Sequence, residues 1–323
     1  ADTSPATTLD RAALAANAAP ATGDTRPTVE HAPRTAKPIT CDICVIGAGS
    51  GGLSVAAAAA AFGRTVVLIE KHKMGGDCLN TGCVPSKALI AAGAVAETVR
   101  GSGRFGVNGH EPAVDFAAVN RHVHGVIDEI APHDSVERFE QLGVTVIKAA
   151  ARFVSPAEIE AGDRRVKARR FVIATGSSAF VPPIAGLDGI RYLTNETIFD
   201  LTERPEHLIV VGGGPIGLEL AQAHRRLGAQ VTLVEALRIL PKDDPDAVAV
   251  VRAGLRNEAI ALHEGATVEA AARSGNGIAL TVIDGTGRKT ITGTHVLIAA
   301  GRRPNVHGLG LDAAGIAYSL RGI

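Results

Sequence analysis

Asp42-Ile43-Cys44-Val45-Ile46-Gly47-Ala48-Gly49-Ser50-Gly51-Gly52 is a short apolar run that ends on glycine. The apolar part reads as a buried strand. The glycines read as a loop, and the segment from about Leu53 to Phe62 as a helix that Gly63 stops. A second strand, Thr65–Glu70, follows at once. Gly47, Gly49 and Gly52 have G-x-G-x-x-G spacing, with Gly51 inside it. Such glycines permit a tight turn and bring backbone amides close to a pyrophosphate at the helix N-terminus. Glu70 ends the second strand, where a carboxylate accepts from a ribose hydroxyl. A glycine turn alone is a weak signal; a preceding strand, a following helix and the acid make it a nucleotide site.

The same grammar returns later in the chain. Strand Leu208–Val211 meets Gly212-Gly213-Gly214-Pro215-Ile216-Gly217, a helix runs through Leu227, and strand Gln230–Glu235 follows. Gly212, Gly214 and Gly217 repeat the spacing and Glu235 repeats the acid, so two nucleotide-binding domains are expected. Glu235 repels a 2′-phosphate, which favours NAD(H) over NADP(H), although the nearby Arg238 opposes that preference. Pro182-Pro183 marks the linker, dividing residues 39–183 from 184–305, with 306–323 turning back to the first domain. Between the loops the pattern predicts helices Pro85–Val99, Phe116–Ile130 and Asp134–Leu142, broken at Pro132. Short strands are expected at Val144–Ile147, Arg152–Val154, Glu158–Glu160, Arg164–Val166 and Arg170–Ile173. Ile278–Ile283 and Lys289–Thr292 read as a hairpin around Asp284-Gly285. The fold class is therefore α/β with two Rossmann-like domains.

Cys78 and Cys83 lie in Gly75-Gly76-Asp77-Cys78-Leu79-Asn80-Thr81-Gly82-Cys83-Val84-Pro85-Ser86-Lys87, just before or within the first turns of a predicted helix. A helix N-terminus lowers a thiol pKa, and Gly82 allows unusual backbone geometry between the sulfurs. The alternatives are buried or metal-bound cysteines. Zinc needs further ligands, and His72 is the only close one, so a redox pair is favoured. Cys41 and Cys44 also form a C-x-x-C, but Cys44 alternates with apolar strand residues, which favours packing over redox or metal chemistry. Lys87, a helical turn after Cys83, is either a solvated surface group or a charge beside a cofactor.

The totals agree with an α/β chain of two domains. Of 323 residues, 46% are hydrophobic and 37 are glycine, enough for two cores with tight turns. Thirty-three basic and 33 acidic residues balance, which leaves no electrostatic case for nucleic acid or an anionic membrane. Four cysteines are too few for a secreted disulfide scaffold, and no apolar run is long enough to span a bilayer. The first 38 residues, rich in Ala, Thr and Pro, are expected to be a disordered tail with a transient helix at Leu9–Ala19. A reducing cytoplasm suits a cycling disulfide.

These motifs resemble the pyridine nucleotide-disulfide oxidoreductase family, the group of dihydrolipoyl dehydrogenase, glutathione reductase and mercuric reductase. The resemblance runs over about residues 39–323. It rests on the loop at 47–52, the cysteine motif at 75–87, Ala174-Thr175-Gly176, the loop at 212–219 and Gly301-Arg302-Arg303-Pro304-Asn305. The cysteine motif is most similar to the mercuric-reductase and dihydrolipoyl-dehydrogenase branch. The resemblance implies FAD in the first domain and NAD(P)H in the second. FAD contacts would come from Gly47, Gly49, Gly51, Gly52, Glu70, Lys71, Gly76, Asp77, Ala149, Thr175 and Gly176. Those of the nicotinamide dinucleotide would come from Gly212, Gly214, Gly217, Glu235, Val268 and Gly301. It implies that Cys83 faces the flavin and that Cys78 attacks a small-molecule or protein disulfide or binds Hg(II). It makes Lys87 a flavin-side lysine and Glu219 its ion-pair partner, buried together.

Family members continue past the nicotinamide domain into an interface domain that forms the homodimer and supplies a His-Glu pair. That portion is absent after Ile323, so the resemblance implies a C-terminally truncated chain. The electron-entry side is expected to be complete and full turnover weak. The rival expectation is a non-catalytic nucleotide-binding remnant. Thr81 stands where an apolar residue is common, and Ala149 where glycine is.

Overall fold

The computed structural model describes residues 37–323. The expected tail and its helix at Leu9–Ala19 lie outside the described residues, apart from Lys37 and Pro38. The first unit is β1 (Ile39–Ile46), α1 (Ser50–Ala61) and β2 (Val66–Ile69), as expected, with Gly63 at φ +70° ending the helical run. Next come α2 (Gly76–Asn80), α3 (Cys83–Gly101), α4 (Phe116–Ile130) and α5 (Val136–Gln141). Strands β3 (Val144–Ile147), β4 (Ala151–Ser155), β5 (Glu158–Ala161), β6 (Arg164–Ile173) and β7 (Ser177–Ala179) complete this part. Then follow β8 (His207–Val211), α6 (Pro215–Arg226), β9 (Gln230–Glu235), α7 (Pro245–Asn257) and β10 (Ala261–Glu264). The last strands are β11 (Thr267–Ser274), β12 (Gly277–Asp284), β13 (Gly287–Gly293), β14 (His295–Ile298) and β15 (Arg302–Pro304).

Two sheets, one mixed and one all parallel, carry the two glycine loops. The first has the order β3-β2-β1-β6-β5-β4. Its β1 is flanked in parallel by β2 and β6, while β4, β5 and β6 run as an antiparallel meander. The second has the order β10-β9-β8-β14, all parallel. A loop leaving the carboxyl end of a central parallel strand opens at the crevice where such folds bind nucleotides. Strands β11, β12 and β13 form a separate antiparallel sheet. The expected hairpin is β12–β13, with Asp284 opposite Gly287. After β15, Val306, Leu309 and Leu311 pack into the core of the first sheet.

Several expectations needed correction. Arg164–Val166 and Arg170–Ile173 are one strand, β6. Charged residues hid its period: Val166 and Ala168 point inward while Lys167 and Arg169 point out. The five-residue α2 was not foreseen, so Cys78 and Cys83 sit in separate helices. Helix α7 was also missed, although Asp244 caps it through the amides of Asp246 and Ala247 and Pro245 opens it. Cys41 and Cys44 are buried, and burial pushes the Cys41 thiol up to about 11, which supports the packing reading.

The interior of the second part also holds a histidine. His224 on α6 is 1% exposed, lies against Phe116 and bonds Leu220 O through Nδ1 at 2.8 Å, while Nε2 has no partner. Burial holds its pKa down at about 4. The unfolded chain therefore takes up this proton first, and stability falls as pH drops from about 6.5 toward about 4. Urea denaturation is expected to show about 2 kcal/mol less stability at pH 5 than at pH 7 from this group. That difference should vanish in His224→Leu; an unchanged difference would count against the assignment.

Candidate active site

The loop after β1 is built by close backbone packing. Gly47 has φ +105°, and a Cβ on it would lie 2.3 Å from Ala174 O. A Cβ on Gly52 would lie 1.8 Å from Gly47 O, so the first turn of α1 sits directly on the loop. Gly49, the N-cap, meets the cysteine motif backbone to backbone: a Cβ on Gly76 would lie 2.5 Å from Gly49 Cα. Gly51 has open space around its Cβ position, so packing does not require it. Buried Glu70 reaches back to this loop, with Oε2 accepting from Ala48 N and Oε1 from His72 N, both at 2.7 Å. Beside it lies a cavity of about 180 Å³ that brings together Gly47, Glu70, Lys71, Ala149 and Thr175. Thr175 Oγ1 donates to Asn305 O at 2.7 Å, and Gly176 O accepts from Asn305 N at 3.0 Å.

The second loop is wired in the same way. A Cβ on Gly217 would lie 2.1 Å from Gly212 O. Glu235 Oε2 accepts from Gly213 N at 2.7 Å and Oε1 from Leu237 N at 2.8 Å. A cavity of about 760 Å³ opens here, lined by Gly212, Gly214, Glu235, Val268 and Gly301. Gly217 supports the loop from behind. Arg238, expected to oppose the Glu235 preference, donates instead to Pro241 O at 3.0 Å.

A third cavity, about 220 Å³, joins the two halves. It is lined by Cys83, Lys87, Glu219, Asp77, Asn195 and Arg302. Cys78 is not among its lining residues; it is half-buried on α2. Burial raises the Cys78 thiol above its ordinary value, and the neighbouring Cys83 thiol pushes the same way. This corrects the expectation of a thiol made acidic by a helix N-terminus. Lys87 Nζ lies 2.7 Å from Glu219 Oε2, so the expected ion pair forms. Both side chains line the cavity, where they are 59% and 40% exposed; pairs this open contribute ~0–1 kcal/mol to the fold. Pro215, Ile216 and Asn195 line both this cavity and the large one, so the two spaces share a wall.

Sequence reasoning missed the side chains that lock this region. Arg302 Nη2 pairs with Asp77 Oδ2 at 2.9 Å, and Arg302 also donates to Ser177 Oγ and Ser177 O. Asn195 Nδ2 donates to Asp77 Oδ1 at 3.2 Å. Arg302 was inside a recognised motif without a role, and Asn195 carried no signal at all. Arg302 Nη1 is buried without a partner, which leaves a cationic donor for an anionic ligand.

The family profile described as pyridine nucleotide-disulphide oxidoreductase matches residues 41–323. The chain belongs to this family. It is 36% identical over 287 residues to a mercuric reductase of Streptomyces lividans, covering 87% of this chain and 60% of that protein. It is 33% identical to a dihydrolipoyl dehydrogenase of Thermus scotoductus, covering 88% and 62%. The solved structure of the HOCl-induced flavoprotein disulfide reductase RclA from Escherichia coli superposes with a TM-score of 0.75 at 26% identity, covering 87% and 61%. The chain thus spans about three-fifths of the length of these relatives. Family members of this type bind FAD and use NAD(P)H. The residues present fit both: each loop leaves no room for a Cβ at its crossing point, each has an anchored carboxylate, and Arg302 Nη1 is free beside the cysteine motif. Among the described residues no helix is long and apolar enough to cross a membrane.

Proposed function

We propose that this chain is the electron-entry part of a disulfide oxidoreductase, with FAD on residues 39–183 and NADH on 184–305. One observation carries the reading: Cys83, Lys87 and Glu219 line one cavity, and Pro215 and Ile216 of the second glycine loop wall both it and the large nucleotide cavity. FAD, when bound, accepts two electrons as hydride from a nicotinamide and releases them to a disulfide. The chain's own residues prepare the two ends of that transfer. Glu70 and Glu235 hold carboxylates at the two loops, where each oxygen retains a lone pair for a ribose hydroxyl. The Glu235 carboxylate also disfavours a 2′-phosphate, so NADH is preferred over NADPH. Cys83 lines the cavity. Cys78 keeps its proton at neutral pH, because burial disfavours its thiolate. Lys87 places a positive charge at the same wall, where negative charge from reduction would be stabilised. The final acceptor is a small-molecule or protein disulfide, or Hg(II), reached through Cys78.

The test is to supply FAD to the purified full chain and titrate with NADH under anaerobic conditions. The expected result is retained flavin, bleaching of its absorbance by NADH, and the appearance of two titratable thiols after prior oxidation. Flavin that does not bind would overturn the reading and favour a non-catalytic remnant. Bleaching without new thiols would leave nucleotide binding and reject the disulfide.

A further inference from the structure

The two cysteines belong to different helices, and the turn Thr81-Gly82 joins them. One carboxylate spans that joint. Asp77, immediately before Cys78, accepts at Oδ1 from Thr81 Oγ1 at 2.6 Å, and its backbone oxygen accepts from Thr81 N at 2.9 Å. The joint is also held from outside the motif. Asn195 Nδ2 donates to the same Oδ1 at 3.2 Å and to Thr81 O at 3.3 Å. Arg302 Nη2 pairs with Asp77 Oδ2 at 2.9 Å while Ser177 holds the rest of its guanidinium. Gly82 is squeezed in between: a Cβ there would lie 2.8 Å from Asp77 O. All of these contacts are made with both cysteines as free thiols.

We propose that Thr81 is a positioning residue: with Asp77, Asn195 and Arg302 it clamps the joint between the cysteine helices and so sets the dithiol–disulfide equilibrium of Cys78 and Cys83. The proposal rests on the reading that these two sulfurs form the redox disulfide. Closing the disulfide breaks two S–H bonds and forms one S–S bond, and two protons and two electrons leave. With oxidised glutathione as acceptor, they appear as two molecules of reduced glutathione. The equilibrium depends on how much freedom the dithiol form loses when its sulfurs meet. A clamp already formed in the dithiol has removed much of that freedom, so it favours the disulfide. A valine at position 81 keeps the branched shape and removes the donor. Asp77 then keeps Asn195 and Arg302 but loses its bond to the turn itself.

The experiment equilibrates the full chain with buffers of defined reduced and oxidised glutathione. Free thiols are then alkylated, and the peptides carrying Cys78 and Cys83 are counted by mass spectrometry. For Thr81→Val the equilibrium should move toward the dithiol by on the order of threefold, a modest share of what one hydrogen bond to a charged group supplies. Thr81→Ser, which keeps the hydroxyl, should match the wild type. Asn195→Ala should move in the same direction as Thr81→Val, and it carries the comparison if circular dichroism shows that the valine variant misfolds. Equal midpoints in the wild type and the folded variants, or a shift toward the disulfide, overturn the clamp. A wild type that forms no Cys78–Cys83 disulfide at any glutathione ratio overturns the redox reading and the clamp with it.

Discussion

Gly52→Ala is expected to abolish flavin retention. The new methyl would lie 1.8 Å from Gly47 O, a backbone atom in a loop that is itself pressed against Ala174. No side chain can swing away to relieve this. Either the first turn of α1 lifts off the loop or the loop opens, and both move the amides that face a pyrophosphate. Flavin bound per chain, read from absorbance after gel filtration, should fall to near none, a weakening of at least about 100-fold. Gly125→Ala, on the exposed side of α4 and outside the nucleotide loops, is the control: nothing lies within 4 Å of its Cβ position, so flavin should stay bound. Gly217→Ala applies the same clash in the second loop, 2.1 Å from Gly212 O. It should retain flavin and lose the NADH response. Equal flavin content in Gly52→Ala and Gly125→Ala would show that the first loop is not the flavin cradle.

The cysteine variants carry the other large effect. Cys78→Ser and Cys83→Ser should each remove NADH-driven disulfide reduction, by at least about 10³-fold, because neither sulfur can complete the exchange alone. NADH oxidation with a small external electron acceptor should survive in both, since neither change touches the glycine loops. The two sulfurs should also respond differently to alkylation. Cys83 is exposed and lines the cavity, while Cys78 is half-buried with its thiol pushed up. In the flavin-free chain, iodoacetamide at neutral pH should therefore modify Cys83 first, with Cys78 following only in more alkaline solution. Cys41 and Cys44, buried in the first sheet, should stay unmodified in the folded chain. Disulfide reduction that persists in Cys83→Ser would sink the assignment of that sulfur.

Much of the nucleotide machinery was legible because it is local. Each glycine loop, its strand and its acid lie within one short βαβ stretch, and each is punctuated by residues with few conformational substitutes. The structure places Gly47, Glu70, Lys71, Ala149 and Thr175 around one cavity, and Gly212, Gly214, Glu235, Val268 and Gly301 around another. Elements whose signal is weaker were misread for definite reasons. Strand β6 carries arginine pairs at 164–165 and 169–170 that place charge at positions of both faces, which masks the alternation. Helix α2 is only five residues long, too short to show a period. The Lys87–Glu219 pair came from resemblance, because local spacing does not join two residues so far apart in the chain.

The βαβ grammar of both halves, the cysteine motif and the anchoring acids follow from residue order alone, because they depend on spacing along the chain and on what glycine alone permits. How the halves meet is a matter of packing. The tertiary structure brought Asn195 and Arg302 onto Asp77, made Pro215 and Ile216 a wall shared by two cavities, and put Cys83 rather than Cys78 in the lining of the smaller one. Those contacts join residues more than a hundred positions apart. Packing between sheets and helices selects them, and nothing in local periodicity records it.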